Sequence, residues 1–102
     1  MAEKFYHLQD MIQYAAAGIT SKVLARSRTF SLTLMSMAAG TELEEHSTPR
    51  AGVVETLKGA GAFWLGGEWI NMKPGVMIHM APDAPHALKA ESPMSFLLTL
   101  YE

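Results

Sequence analysis

The side chains able to do chemistry in this 102-residue chain are few. Cysteine is absent, which excludes thiol nucleophiles, thiolate metal sites and disulfides together. What remains are four histidines (His7, His46, His79 and His86), ten acidic residues and eight methionines. His46 follows Glu44 and Glu45 and precedes a Thr48-Pro49 turn. Imidazole and carboxylate together suit a divalent ion. Alternate residues of a strand share a face, so a metal-binding strand at His46 calls for a second histidine at position 48. Thr48 stands there instead; it can hydrogen-bond a metal-bound water but coordinates poorly. His79, in Val76-Met77-Ile78-His79-Met80, has the apolar neighbours of a half-buried structural histidine. His7 belongs to the surface of the N-terminal segment. Ser47 adjoins His46 and so faces the other way, and no Ser-His-Asp constellation stands out. The glycines of KGAGAFWLGG lack the strand-to-helix context of a phosphate loop. The methionines lie inside apolar segments with no short-spaced cluster, so flexible core filling is expected before thioether ligation of copper.

These side chains need a scaffold, and composition points to one domain with one core. Apolar residues make up 49%, and the net charge of −2 comes from charges of both signs spread along the chain. No basic stripe serves nucleic acid, and no apolar run is long enough for a bilayer. No basic region followed by an apolar run opens the chain, so a cytoplasmic protein is expected. Leu8, Met11, Ile12 and Ala15 fall at helical spacing before Gly18, which predicts a short helix in an N-terminal segment, residues 1–17. From residue 18 to 102 the rhythm is that of strands. ITSKVLA and TFSLTLMSM alternate apolar and polar residues, AAGTELEEH reads as a connection, and VVETLKG ends at Gly59. AGAFWL and EWINM flank Gly66-Gly67, the signal of a tight hairpin. VMIHM, HALKA and MSFLLTLY follow, for about eight short strands, the pattern of a sandwich or barrel. Many segments are apolar on both faces. A chain this small buries both only by closing the sheet and pairing with a second subunit, so a homodimer is expected. Trp64 and Trp69, beside the hairpin, are candidates for lining a ligand pocket or for packing at an interface.

LKGAG after the EEHSTP stretch, MKPG before a strand, and PDAPHAL with a histidine opening the next strand resemble the cupin superfamily. The likeness is to its small single-domain RmlC-like members of the cupin 2 type, over residues 18–101. The resemblance implies an all-β double-stranded β-helix, a jelly-roll barrel, here with a short N-terminal helix. It also implies a dimer and a pocket between the sheets. In metal-binding members that pocket holds an ion on two histidines two apart, a glutamate four residues later and a histidine from a second motif. Laid on this chain, the pattern places His46 in the first slot and His86 in the last, with Thr48 and Gly52 in the two between. Candidates for a third ligand are Glu55, brought inward by a bulge or by the Pro49 turn, and His79. Imidazole and carboxylate leave zinc, nickel, copper, iron and manganese open. The expected function is a divalent metal and a small organic molecule bound inside the barrel, with dioxygenase, isomerase or decarboxylase chemistry. The alternative is a metal-free binding module or a structural dimer.

Overall fold

The computed structural model of the protein describes residues 5–102; the first four residues of the N-terminal segment lie outside the described residues. Among the described residues the chain forms one helical turn and nine strands: α1 (Leu8–Met11), β1 (Ile19–Arg26), β2 (Phe30–Met37), β3 (Glu42–His46), β4 (Ala51–Lys58), β5 (Gly61–Leu65), β6 (Glu68–Met72), β7 (Met77–Met80), β8 (His86–Ala90) and β9 (Met94–Tyr101). All pairings are antiparallel. They build a five-stranded sheet, β1-β2-β9-β4-β7, and a four-stranded sheet, β3-β8-β5-β6.

The period-two pattern decides what each sheet buries. On β4, Gly52, Val54 and Thr56 are buried while Glu55 is exposed; on β7, Ile78 and Met80 are buried while Met77 and His79 are exposed. Phe63 and Leu88 of the smaller sheet meet Val54, Met80 and Phe96 of the larger in one apolar core. This is the all-β jelly-roll barrel. Among the described residues no helix is long and apolar enough to cross a membrane.

Turn chemistry fixes the register. Gly66 and Gly67 have φ of 63° and 86°, a type I′ geometry that joins Leu65 and Glu68 as paired residues. Gly59 has φ of 83°, and its backbone runs so close to Pro93 that a Cβ would collide with the Pro93 carbonyl oxygen.

The expected short helix forms, as a single turn: Ile12 is already extended at φ −70° and ψ 122°, and His7 makes no side-chain cap. A lone four-residue turn with no buried residue lacks the packing that sustains short helices. The segment is instead fastened along the larger sheet. The Thr20 hydroxyl donates to the Gln13 carbonyl at 2.6 Å, and Ser95, hydrogen-bonded to Ser36, donates to the Tyr14 hydroxyl at 3.1 Å. One local expectation changes, in AAGTELEEH, read as a connection. It contains β3, whose charged residues face solvent and hide the strand alternation.

Candidate functional site

His46 closes β3, His86 opens β8, and the two are register partners. Their pairing depends on a bulge. Leu43 pairs with Leu88 on the inner face, so an unbroken ladder would set Glu45 against His86 and turn His46 outward. The register shifts between Leu43 and His46, which brings His46 to the inward position and leaves Glu44 and Glu45 exposed. The two imidazole centroids lie 4.2 Å apart with the rings tilted by 59°. Phe63 stacks on the deeper ring, His86, at 5.6 Å and an interplanar angle of 3°. His86 is 4% exposed, while His46 sits at the exposed mouth.

Both rings are oriented by the same device. Nδ1 of His46 lies 2.9 Å from the Glu44 carbonyl, and Nδ1 of His86 lies 2.9 Å from the Ala84 carbonyl. A carbonyl only accepts, so each Nδ1 carries the hydrogen. In the neutral imidazole, Nε2 then bears a free lone pair. Neither Nε2 has a hydrogen-bond partner among the described residues. The two rings line a cavity of about 110 Å³ whose remaining walls are apolar, among them Leu43, Phe63, Met35 and Met80. An engineered apolar cavity of about 150 Å³ takes a benzene ring. The space here therefore suits a body of a few heavy atoms, with anything larger extending through the mouth. The β3–β4 and β7–β8 loops rim that mouth and are tied together by the Asp83 amide, which donates to the Thr48 carbonyl at 2.7 Å.

The other sequence candidates stand elsewhere. Glu55 is exposed on the outer face of the larger sheet, paired with Met77 and Leu97. β4 is regular against β7 from Gly52 to Glu55, so no bulge after Pro49 turns this carboxylate inward; the bulge falls before His46. His79 is on the same outer face, where its Nε2 meets the Tyr101 hydroxyl at 2.5 Å. Neither residue stands with the histidine pair as a third donor among the described residues. Thr48 lies in the β3–β4 loop, half-buried, with its hydroxyl accepting from the Arg50 amide at 3.5 Å. Trp64 and Trp69 are cross-strand partners on the outer face of the smaller sheet, because their neighbours Phe63 and Ile70 pack toward the core. Lys89 Nζ lies 4.5 Å from the Trp69 ring, a cation–π contact with solvent on one side. Among the described residues no group of three His, Asp or Glu side chains is placed to hold an ion.

A family model described as "Cupin domain" matches residues 33–100, two thirds of the chain. The chain belongs to the cupin family. Three solved structures show the same fold. A conserved protein of unknown function from Streptococcus pyogenes aligns over 100% of this cupin and 90% of its own chain, at 24% identity and a TM-score of 0.88. A cupin superfamily protein from Desulfitobacterium hafniense aligns over 99% and 93%, at 19% identity and 0.89. A G106A mutant of salicylate 1,2-dioxygenase from Pseudoaminobacter salicylatoxidans aligns over 92% of this cupin and 30% of its own chain, at 21% identity and 0.77. No curated protein matches the sequence.

Within this cupin the position of the absent motif carboxylate is filled. Gly52 points inward and is buried, and a Cβ built on it would lie 2.5 Å from Met80 Cε and 3.2 Å from Leu100 Cδ2. The Met80 side chain occupies the space where a residue-52 side chain would begin. Met80 and Met35 are the cavity residues that sequence reasoning passed over. Along the chain they form no cluster, but strands β7 and β2 bring both into one cavity. The signal was available for Met80. Once His79 is set outward, period two sets Met80 inward.

Proposed function

We propose that this cupin holds a metal ion on Nε2 of His46 and Nε2 of His86 and takes up a compact organic molecule beside it in the barrel. The supporting observation is the pair of bare Nε2 lone pairs, on rings 4.2 Å apart by centroid, each ring locked by its own backbone carbonyl inside an apolar cavity. Carbonyl-anchored Nδ1–H is the outer-shell arrangement that fixes a ligating imidazole and raises its basicity. An ion bound there would supply Lewis acidity to an oxygen of the organic ligand. The chain's own residues do the remaining work. The Glu44 and Ala84 carbonyls hold the rings, Phe63 supports the His86 ring, and the apolar walls exclude water and favour a small apolar body with one polar end. Dioxygenation, isomerisation and decarboxylation are the reaction classes in view.

The test is metal content after loading and desalting, for the wild type, His46→Ala and His86→Ala. Close to one ion per chain in the wild type and a marked loss in both variants is expected; equal retention in all three overturns the proposal. A metal-free binding module is the second reading, favoured by the lack of a third His, Asp or Glu beside the pair among the described residues. Because Trp64 and Trp69 lie outside the cavity, calorimetry rather than tryptophan fluorescence separates the two. Uptake of small aromatic acids that survives a chelator supports the second reading.

A further inference from the structure

Strand register places the cavity's two methionines at different levels of the larger sheet. Met80 and Gly52 are partners on β7 and β4, and Gly52 is opposite Leu100 on β9. That row lies at the end of the barrel where the β3–β4 and β7–β8 loops cross, and where β3 ends at His46 and β8 begins at His86. Met35 is opposite Phe96, four residues along β9 from Leu100, about 13 Å deeper by the rise of a strand. Of the two cavity thioethers, Met80 therefore shares the histidines' level. Its side chain lies against Gly52, where the absence of a Cβ leaves room for it, and the residue is 3% exposed. Every carboxylate on the neighbouring strands points away: Glu44 and Glu45 are exposed by the bulge, and Glu55 stands on the outer face.

The donors lining the cavity are thus two imidazole nitrogens and thioethers; Asp83 stands exposed on the rimming β7–β8 loop, and no carboxylate joins the two histidines in a group of three among the described residues. Carboxylate and carbonyl oxygens suit magnesium, calcium and manganese, whereas thioether sulfur selects monovalent copper. Cuprous copper is a closed-shell ion, content with few ligands, and a neutral donor set in an apolar cavity favours its lower charge over that of a divalent ion. Resting on the histidine reading above, we infer that the Met80 sulfur is the third ligand and that the site takes copper in the cuprous state.

The experiment is anaerobic titration of the whole chain with Cu(I) against a chromophoric cuprous chelator, with Zn(II) titrated in parallel, on the wild type, Met80→Leu, Met77→Leu, His46→Ala and His86→Ala. Leucine is close to methionine in volume, so Met80→Leu preserves packing, and Met77 is an exposed methionine of the same strand outside the cavity. The expected result is a loss of about tenfold or more in Cu(I) affinity for Met80→Leu, with Zn(II) affinity retained and Met77→Leu unchanged in both. X-ray absorption at the copper edge should show a sulfur neighbour in the wild type and none in Met80→Leu. Wild-type Cu(I) affinity in Met80→Leu, or no sulfur neighbour in the wild type, overturns the Met80 assignment while the histidine reading stands. Retention of both ions by His46→Ala and His86→Ala overturns the histidine reading as well.

Discussion

At the scale of single residues, the site is shaped as much by a missing side chain as by the histidines. Gly52 faces inward, and Met80 fills the space beside it, with its Cε 2.5 Å from where a Cβ would stand. The two positions should be energetically coupled. Gly52→Ala is expected to cost about 1–3 kcal/mol through overpacking, and distinctly less in a Met80→Ala background. Urea unfolding of the two single variants and the double variant measures this. Equal costs in both backgrounds would show that Met80 moves aside freely. His46 and His86 were named together through the resemblance to cupins, whose motif positions they fill, and the structure sets the two as register partners. Glu55 would face inward only with a bulge after Pro49, which the regular β4–β7 ladder lacks, and the same ladder sets His79 on the outer face; the bulge that does occur, before His46, is not announced by the Glu44-Glu45 run. Thr48, Trp64 and Trp69 were drawn toward the cavity by chemistry alone, while alternation and loop geometry set them elsewhere.

At the scale of elements, the barrel is held in register by turns that tolerate only particular backbones. The β-strands, the Gly66-Gly67 hairpin and the Gly59 stop were readable because period two and paired glycines act locally. β3 was hidden because its exposed charged residues mask alternation, whereas the short N-terminal helix was readable from the helical spacing of Leu8 and Met11 and forms as a single turn. Gly59 offers the sharpest check. It combines a left-handed φ of 83° with a close approach to the Pro93 backbone. Gly59→Ala is expected to destabilise the protein by about 2–4 kcal/mol, read from the midpoint of chemical unfolding. A change within about 0.5 kcal/mol, the range of ordinary surface substitutions, would mean that the β4–β5 turn adapts.

At the scale of the whole molecule, the larger sheet has two differently treated outer regions. Near β1 and β2 the N-terminal segment ties down, and Ser36, Ser95 and Leu34 are buried. Toward β7 the face carries Met77, 63% exposed, on an edge strand. The sequence expectation of a homodimer belongs at this scale, since apolarity on both faces of a small sheet calls for a second cover. Sedimentation equilibrium is expected to give a dimer for the wild type and a shift toward monomer for Met77→Lys. A monomeric wild type would remove the dimer from the account. The barrel was legible in the sequence because its pattern is spread over many strands at once, whereas an interface depends on which few side chains a second chain meets.

The central claim is that Nε2 of His46 and Nε2 of His86 hold one ion at the mouth of the barrel. Its most direct test is an anomalous difference map at the copper edge, from crystals of the wild-type chain loaded anaerobically with Cu(I). The account predicts a single strong peak within coordination distance of both Nε2 atoms and of the Met80 sulfur. A map with no peak beside the two Nε2 atoms, for copper and likewise for zinc-loaded crystals at the zinc edge, or with metal only on the outer face at His79, would contradict it.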